Sequence, residues 1–151
     1  MFGFDIDFAL LKYHSFQLSF AFILSLPIAL NREMKDSGAG LRTFPLVCIA
    51  SCAFMLVGRD IYEEGDAEAR IMYAIITGMG FIGGGAIFKN GGSVKGTATA
   101  AGLWNTGAIG ISVAYSRYEI AIILSIVSFL ILQFSAPFKS ITEKESQKEQ
   151  E

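Results

Sequence analysis

Long apolar runs alternate along this chain with short blocks of polar and charged residues. Five runs can be drawn, over residues 10 or 15 to 30, 41–57, 71–88, 97–115 and 118–136. Each is about 15 to 20 residues, which at 1.5 Å per residue approaches the roughly 30 Å hydrocarbon core of a bilayer, the shorter ones marginally. The pattern predicts an all-α integral membrane protein, a bundle of about five transmembrane helices. The fifth run, IAIILSIVSFLILQF, is apolar on nearly every side, as a lipid-facing helix should be. The third and fourth are the least hydrophobic and are crowded with Gly, Ala and Thr, which predicts that they lie inside the bundle.

Polar blocks set the connections. Residues 31–40 form a loop with Gly38 and Gly40 as breakers, residues 58–70 an acidic one, and residues 89–96 one with Lys89, Lys95 and several glycines. Arg117 marks a turn so short that the fourth and fifth helices must form a hairpin. Residues 1–138 make up the membrane domain, and the charged segment 139–151 reads as a disordered cytoplasmic tail. Lys12, Arg59, Arg70 and Arg117 fall on one side of this topology; Arg32, Lys35, Arg42, Lys89, Lys95, Lys139, Lys144 and Lys148 fall on the other. Eight against four places the second side in the cytoplasm, so the N-terminus faces out and the C-terminus in. The N-terminal MFGFDIDF lacks basic flanking residues and a small-residue cleavage site, so the first helix is expected to act as its own insertion signal.

Composition alone would not have separated membrane from soluble, since 52% apolar residues and a mean hydropathy of +0.48 lie only slightly above a soluble domain's. The clustering of charges decides it. A net charge of −2 without a basic stripe excludes a nucleic-acid partner. Cys48 and Cys52, four apart on one helix face, suit neither a disulfide nor a complete metal site and read as small packing residues. Gly78-x-Gly80-x-x-Gly83 matches a dinucleotide fingerprint, but the acidic residue expected about 20 positions later is missing.

Gly80 and Gly84 stand four apart, as do Ala98 and Gly102, and Thr106 and Gly110. Small residues at that spacing let helices in lipid approach closely. The expectation is that the third and fourth helices meet along these stripes. The triple Gly83-Gly84-Gly85, with Gly78, leaves two readings open: a docking face, or a break in the helix. No Asp, Glu or His falls in the middle of a run, which disfavours a proton relay or a dehydrated divalent-cation site and leaves no catalytic constellation. Asn105 is expected to hydrogen-bond a neighbouring helix, and His14 to pack at the outer interface. Glu33, Arg42, Lys95 and Thr97 gather at the predicted cytoplasmic edge, where Glu33, Arg42 and Lys95 are expected to form a charged vestibule.

These motifs together resemble the membrane domain of the MgtC/SapB family. The likeness rests on Asn31-Arg32-Glu33, Gly40-Leu41-Arg42-Thr43, Arg70, the run from Gly78 to Gly85, and the block GSVKGTATAAGLW from Gly92 to Trp104. It covers about residues 10–134. The resemblance implies bacterial inner-membrane proteins, some linked to survival in low magnesium and labelled magnesium transporters, others acting by binding and regulating another membrane protein. Glu33, Arg42, Arg70, Lys95, Thr97, Thr99 and Trp104 fall on family-motif positions, with Asn105 beside them, but no agreed ligand or catalytic role comes with them. Longer relatives carry a soluble C-terminal domain that does not follow here. Asn31 stands where an acidic residue is common, and Ser25 and Pro27 where glycines are usual, which predicts different packing and a kink in the first helix.

Two functions remain. One is a non-enzymatic protein acting through helix contacts, with a second copy or another membrane protein, linked to magnesium limitation. The other is a transporter of Mg²⁺ or another cation. No cofactor is expected, Mg²⁺ entering only as a ligand or signal.

Overall fold

A computed structural model describes residues 7–35, 38–61, 65–90 and 93–148. It contains helices α1 (Phe8–Met34), α2 (Thr43–Ile61), α3 (Gly65–Gly85), α4 (Thr97–Ala114) and α5 (Tyr118–Lys148), with strands β1 (Phe88–Asn90) and β2 (Ser93–Lys95) between α3 and α4. The helix count agrees with the apolar pattern. The strands do not: the segment expected as plain loop is an antiparallel ribbon pairing Phe88 with Lys95, Lys89 with Val94 and Asn90 with Ser93. Its signal was in the sequence, because Gly91-Gly92, outside the described residues, separate two short non-glycine runs, a hairpin pattern.

Local chemistry sets the helix ends. The Asp7 carboxylate accepts from Ala9 N at 2.8 Å and Leu10 N at 3.3 Å, capping α1. α1 continues as helix through Pro27 to Met34. Gly38 turns the chain at φ +77°, and Gly40 O receives Thr43 N and Phe44 N at 3.1 Å to start α2. Gly96 precedes α4 at φ +87°, where a side chain would also strike the Ala86 carbonyl, so only glycine suits the position. The α4–α5 turn is as tight as expected: Ser116 takes φ 57° and Arg117 N bonds Ser112 O at 2.9 Å. α5 continues to Lys148, past the expected end of the fifth run and into the segment read as tail; residues 149–151 lie outside the described residues.

Two of the described helices, α1 and α2, are long and apolar enough to cross a membrane, and Tyr118–Phe134 is a shorter apolar segment. α4 occupies the centre, against α1, α2, α3 and α5. Its small residues explain why. A Cβ at Gly110 would run into the Cys48 carbonyl and approach Cys52 N at 3.0 Å, and one at Gly102 would press the Phe44 ring at 3.1 Å. Glycine thus lets the α2 and α4 backbones nearly touch.

α3 corrects one expectation and decides a reading left open. Among the described residues its main partners are α2 and α4, which puts it at the edge of the bundle rather than inside it. It is also unbroken through Gly78, Gly80, Gly83 and Gly84, and ends at Gly85. Ala86 N and Ile87 N bond Gly83 O and Gly84 O at 3.0 and 3.1 Å, a tightened last turn, so the glycine run closes the helix instead of interrupting it.

Polar side chains stitch the interior. Asn31 Nδ2 donates to Gln133 Oε1 at 2.7 Å, Ser125 Oγ to Leu24 O at 2.6 Å, and Cys48 Sγ to Ala21 O at 3.2 Å. Asn105 Nδ2 donates to Ser128 Oγ, the interhelical bond expected of it. Each satisfies a group that would otherwise be stranded away from water.

Candidate functional site

The end of the bundle that holds the α1–α2 loop also holds the ribbon, because Arg32 near the end of α1 donates through Nη2 to Thr99 Oγ1 at 2.9 Å, in the first turn of α4. Thr99 is buried, and its hydroxyl anchors one nitrogen of the guanidinium. Beside it, Glu33 Oε2 accepts from Leu41 N at 2.9 Å. A Cβ at Gly40 would collide with the Glu33 carboxylate, so Gly40 and Glu33 close the turn together. Arg42 is exposed on the far rim. Between them lies an open cleft of about 230 Å³, lined by Arg32, Glu33, residues 38–40, Arg42 and Thr43.

Glu33 and Arg42 thus line one cleft, while Lys95 is not among its described lining residues; the third charge there is Arg32. Lys95 and Thr97 are exposed, on β2 and at the start of α4. The ribbon holds Lys95 in a strand, away from the α1–α2 turn. Arg32 stood in the sequence motif without a partner to recommend it, since Thr99 lies 67 positions away. Lys35 Nζ donates to Leu132 O, tying the same end to α5. Asn31 Oδ1 is buried without a hydrogen-bond partner among the described residues.

Other predicted positions scatter. Arg70 is exposed near the start of α3, and Trp104 is half exposed on α4. The paired stripes do not meet as expected. Gly102, Thr106 and Gly110 are buried, Gly102 and Gly110 against α2, while Ala98 is exposed. On α3 only Gly83 makes the close approach, to Ala100 O at 3.1 Å; a Cβ at Gly78, Gly80, Gly84 or Gly85 would meet nothing within 4 Å. Gly80 and Gly84 share an exposed stripe with Tyr73 and Thr77, at helical spacings of three and four. Around the helix from that stripe, α2 and α3 enclose an apolar groove of about 1070 Å³ reaching from Leu46 to Ile61 on α2.

At the opposite end the sequence reading missed a second polar cluster. His14 Nε2 lies 3.5 Å from Asp60 Oδ2. Arg59 donates to Ala114 O and sits 5.0 Å over the Tyr115 ring. Tyr115 OH donates to Glu68 Oε2 at 2.7 Å. Burial, reinforced by the Glu68 carboxylate, pushes the Tyr115 phenol up to about 12. Gln17 Nε2 donates to Tyr13 OH at 3.0 Å and Val113 O at 3.2 Å. Only His14 gave notice of this cluster, because its members come from four helices. Among the described residues, no three His, Cys, Asp or Glu side chains come together as metal ligands would.

No solved structure matches the chain. The Escherichia coli K12 protein YhiD, named as a candidate magnesium transporter, is 35% identical over 113 residues, 70% of this chain and 53% of its own length. SrpB of Synechococcus elongatus is 31% identical over 133 residues, 78% of this chain and 72% of its own. MgtC of Brucella abortus is 36% identical over 94 residues, 62% and 39%. The chain thus spans about half the length of YhiD. The MgtC family itself matches over residues 18–141, a stretch that contains the arginine cleft, the glycine run and the whole of α4, and the chain belongs to that family.

Proposed function

We propose that this chain is a multi-pass protein of the bacterial inner membrane, with five spanning helices, N-terminus out and C-terminus in. It serves magnesium homeostasis by helix–helix contact, with a second copy or another membrane protein, and carries out no catalysis. The exposed stripe on α3 carries this reading. Tyr73, Thr77, Gly80 and Gly84 lie on one face, and a Cβ at either glycine would meet nothing within 4 Å. Glycine inside a helix costs about 0.5–1 kcal/mol against alanine. Among the described residues no contact at the Cβ position of Gly80 or Gly84 offsets that cost, whereas an incoming helix would. The names of YhiD and MgtC support the link to magnesium, and the excess of Lys and Arg at the arginine-cleft end supports the orientation.

The test is disulfide crosslinking in membranes through Thr77→Cys, alone and combined with Gly80→Leu, beside growth in low magnesium. The expected result is that Gly80→Leu abolishes the crosslinked product and the growth phenotype together. A variant that loses one and keeps the other refutes the reading.

Transport of Mg²⁺ is the second reading, favoured by the name of YhiD and by the Glu33 carboxylate at the mouth of the cleft. It expects Mg²⁺ flux into proteoliposomes above an empty-liposome control, altered by Glu33→Gln. Unchanged flux removes Glu33 from any such mechanism.

A further inference from the structure

The arginine cleft and the α2–α3 groove share an end, and the helix between them is α2. Arg42 precedes α2, and Leu46, one turn along, opens the groove. We infer that the two form one binding site for an anionic phospholipid, its phosphate in the Arg32–Arg42 cleft and an acyl chain along the groove between α2 and α3. The inference rests on the membrane-spanning reading above but not on helix association.

Charge complementarity supports the headgroup. Described side chains at this end include Arg32, Lys35, Arg42, Lys89 and Lys95, against the single carboxylate of Glu33. Glu33 Oε2 is engaged by Leu41 N, which draws its charge toward the turn. Thr43 N and Phe44 N are already bonded to Gly40 O, which takes those two donors out of the cleft. The Arg42 guanidinium is the donor on offer, and its planar fork suits a phosphate, with the Arg32 charge beside it. Thr99 holds Arg32 in place, and Arg42 has no partner among the described residues. At about 230 Å³, against roughly 30 Å³ per water molecule, the cleft accommodates a phosphate with its ester oxygens.

The surroundings select a lipid over free phosphate. Met34, Leu41 and Leu46 are exposed by 76%, 41% and 66% next to the charges, an arrangement matching an amphiphile and not a soluble ion. The groove beyond Leu46 is lined by apolar side chains such as Ala50, Phe54, Ile75 and Ile82, with Ser51 the one polar side chain among the described lining residues. Basic groups at the cytoplasmic interface attract anionic headgroups.

The experiment uses the full chain in neutral detergent, titrated with phosphatidylglycerol, phosphatidylcholine or inorganic phosphate. Bound lipid is counted by native mass spectrometry, and folding is checked by circular dichroism. Phosphatidylglycerol is expected to bind, with phosphatidylcholine much weaker and inorganic phosphate unable to displace it. Arg42→Gln should weaken phosphatidylglycerol about tenfold or more, the loss of a charge-assisted hydrogen-bond donor. Lys89→Gln removes the same charge at the same end but outside the cleft, and should cost about fivefold or less. Ala50→Phe, which fills the groove, should weaken the lipid with the cleft intact. Equal losses from Arg42→Gln and Lys89→Gln would reduce the site to diffuse surface charge and overturn the inference. So would equal binding of the two lipids, or displacement by inorganic phosphate. Crosslinking through Thr77→Cys is independent of all these outcomes, so failure here leaves helix association standing.

Discussion

Replacing glycine by alanine at two positions should change stability in opposite directions, and the sign at each is fixed by what the added methyl meets. At Gly110 an ideal Cβ overlaps the Cys48 carbonyl and comes within 3.0 Å of Cys52 N. Both are backbone atoms of α2, so no side-chain rotation relieves the contact and the two helices must part. Overpacking of this kind costs about 1–3 kcal/mol. Parting them also loosens the contacts of Phe44 on Gly102, a few turns along the same interface. At Gly80 the same methyl meets nothing within 4 Å, and the helix gains the roughly 0.5–1 kcal/mol by which alanine exceeds glycine. Gly107 is intermediate: its Cβ would meet the Met79 side chain, whose thioether end can move. Unfolding of the purified chain in detergent, followed by circular dichroism, should rank Gly80→Ala above the natural sequence, Gly107→Ala below it, and Gly110→Ala lowest. Equal or inverted shifts at Gly80 and Gly110 would show that α2 and α4 do not meet as described and refute the packing argument.

The Tyr115 phenol, raised to about 12 by burial and by Glu68, favours its neutral form in the folded state. Its contribution is complete below the ordinary tyrosine value near 10 and is lost as pH rises through about 12. Thermal stability should fall over that window, and Tyr115→Phe should flatten the fall; an unchanged slope refutes the assignment. Asn31 and Gln133 bind α1 to α5 through a 2.7 Å hydrogen bond. A double-mutant cycle with Asn31→Leu and Gln133→Leu should return a coupling of about 0.6–2 kcal/mol, the range for such bonds between membrane helices, and strict additivity would show the pair to be idle.

Much of the architecture was legible in the residues alone. The alternation of apolar runs with charged blocks fixed the number of helices, because the period of burial is a local property of the chain. Small residues at four-residue spacing marked α4 as a docking helix, and burial of Gly102, Thr106 and Gly110 agrees. Gly38 and Gly40 read as the breakers of the first loop, and Gly40 with Glu33 closes that turn. The same spacing argument failed on α3. Gly80 and Gly84 looked equivalent to the α4 stripe, yet they face outward while Gly83, one position from Gly84, takes the close contact with Ala100. A helix that is apolar and small all round has no amphipathic signal to say which side its neighbour takes. Only the packed partner decides. The cleft shows the same division. Glu33 and Arg42, near in sequence, line one cleft, whereas Arg32 finds Thr99 across 67 positions and Lys95 stands on the ribbon. Composition and local period therefore determined what this chain is built from and where α4 and α5 start, while α3 begins at Gly65, inside the segment read as an acidic loop. Which faces meet and which charges share a site were set by the tertiary structure, because those contacts join residues whose separation along the chain carries no record of their distance in space.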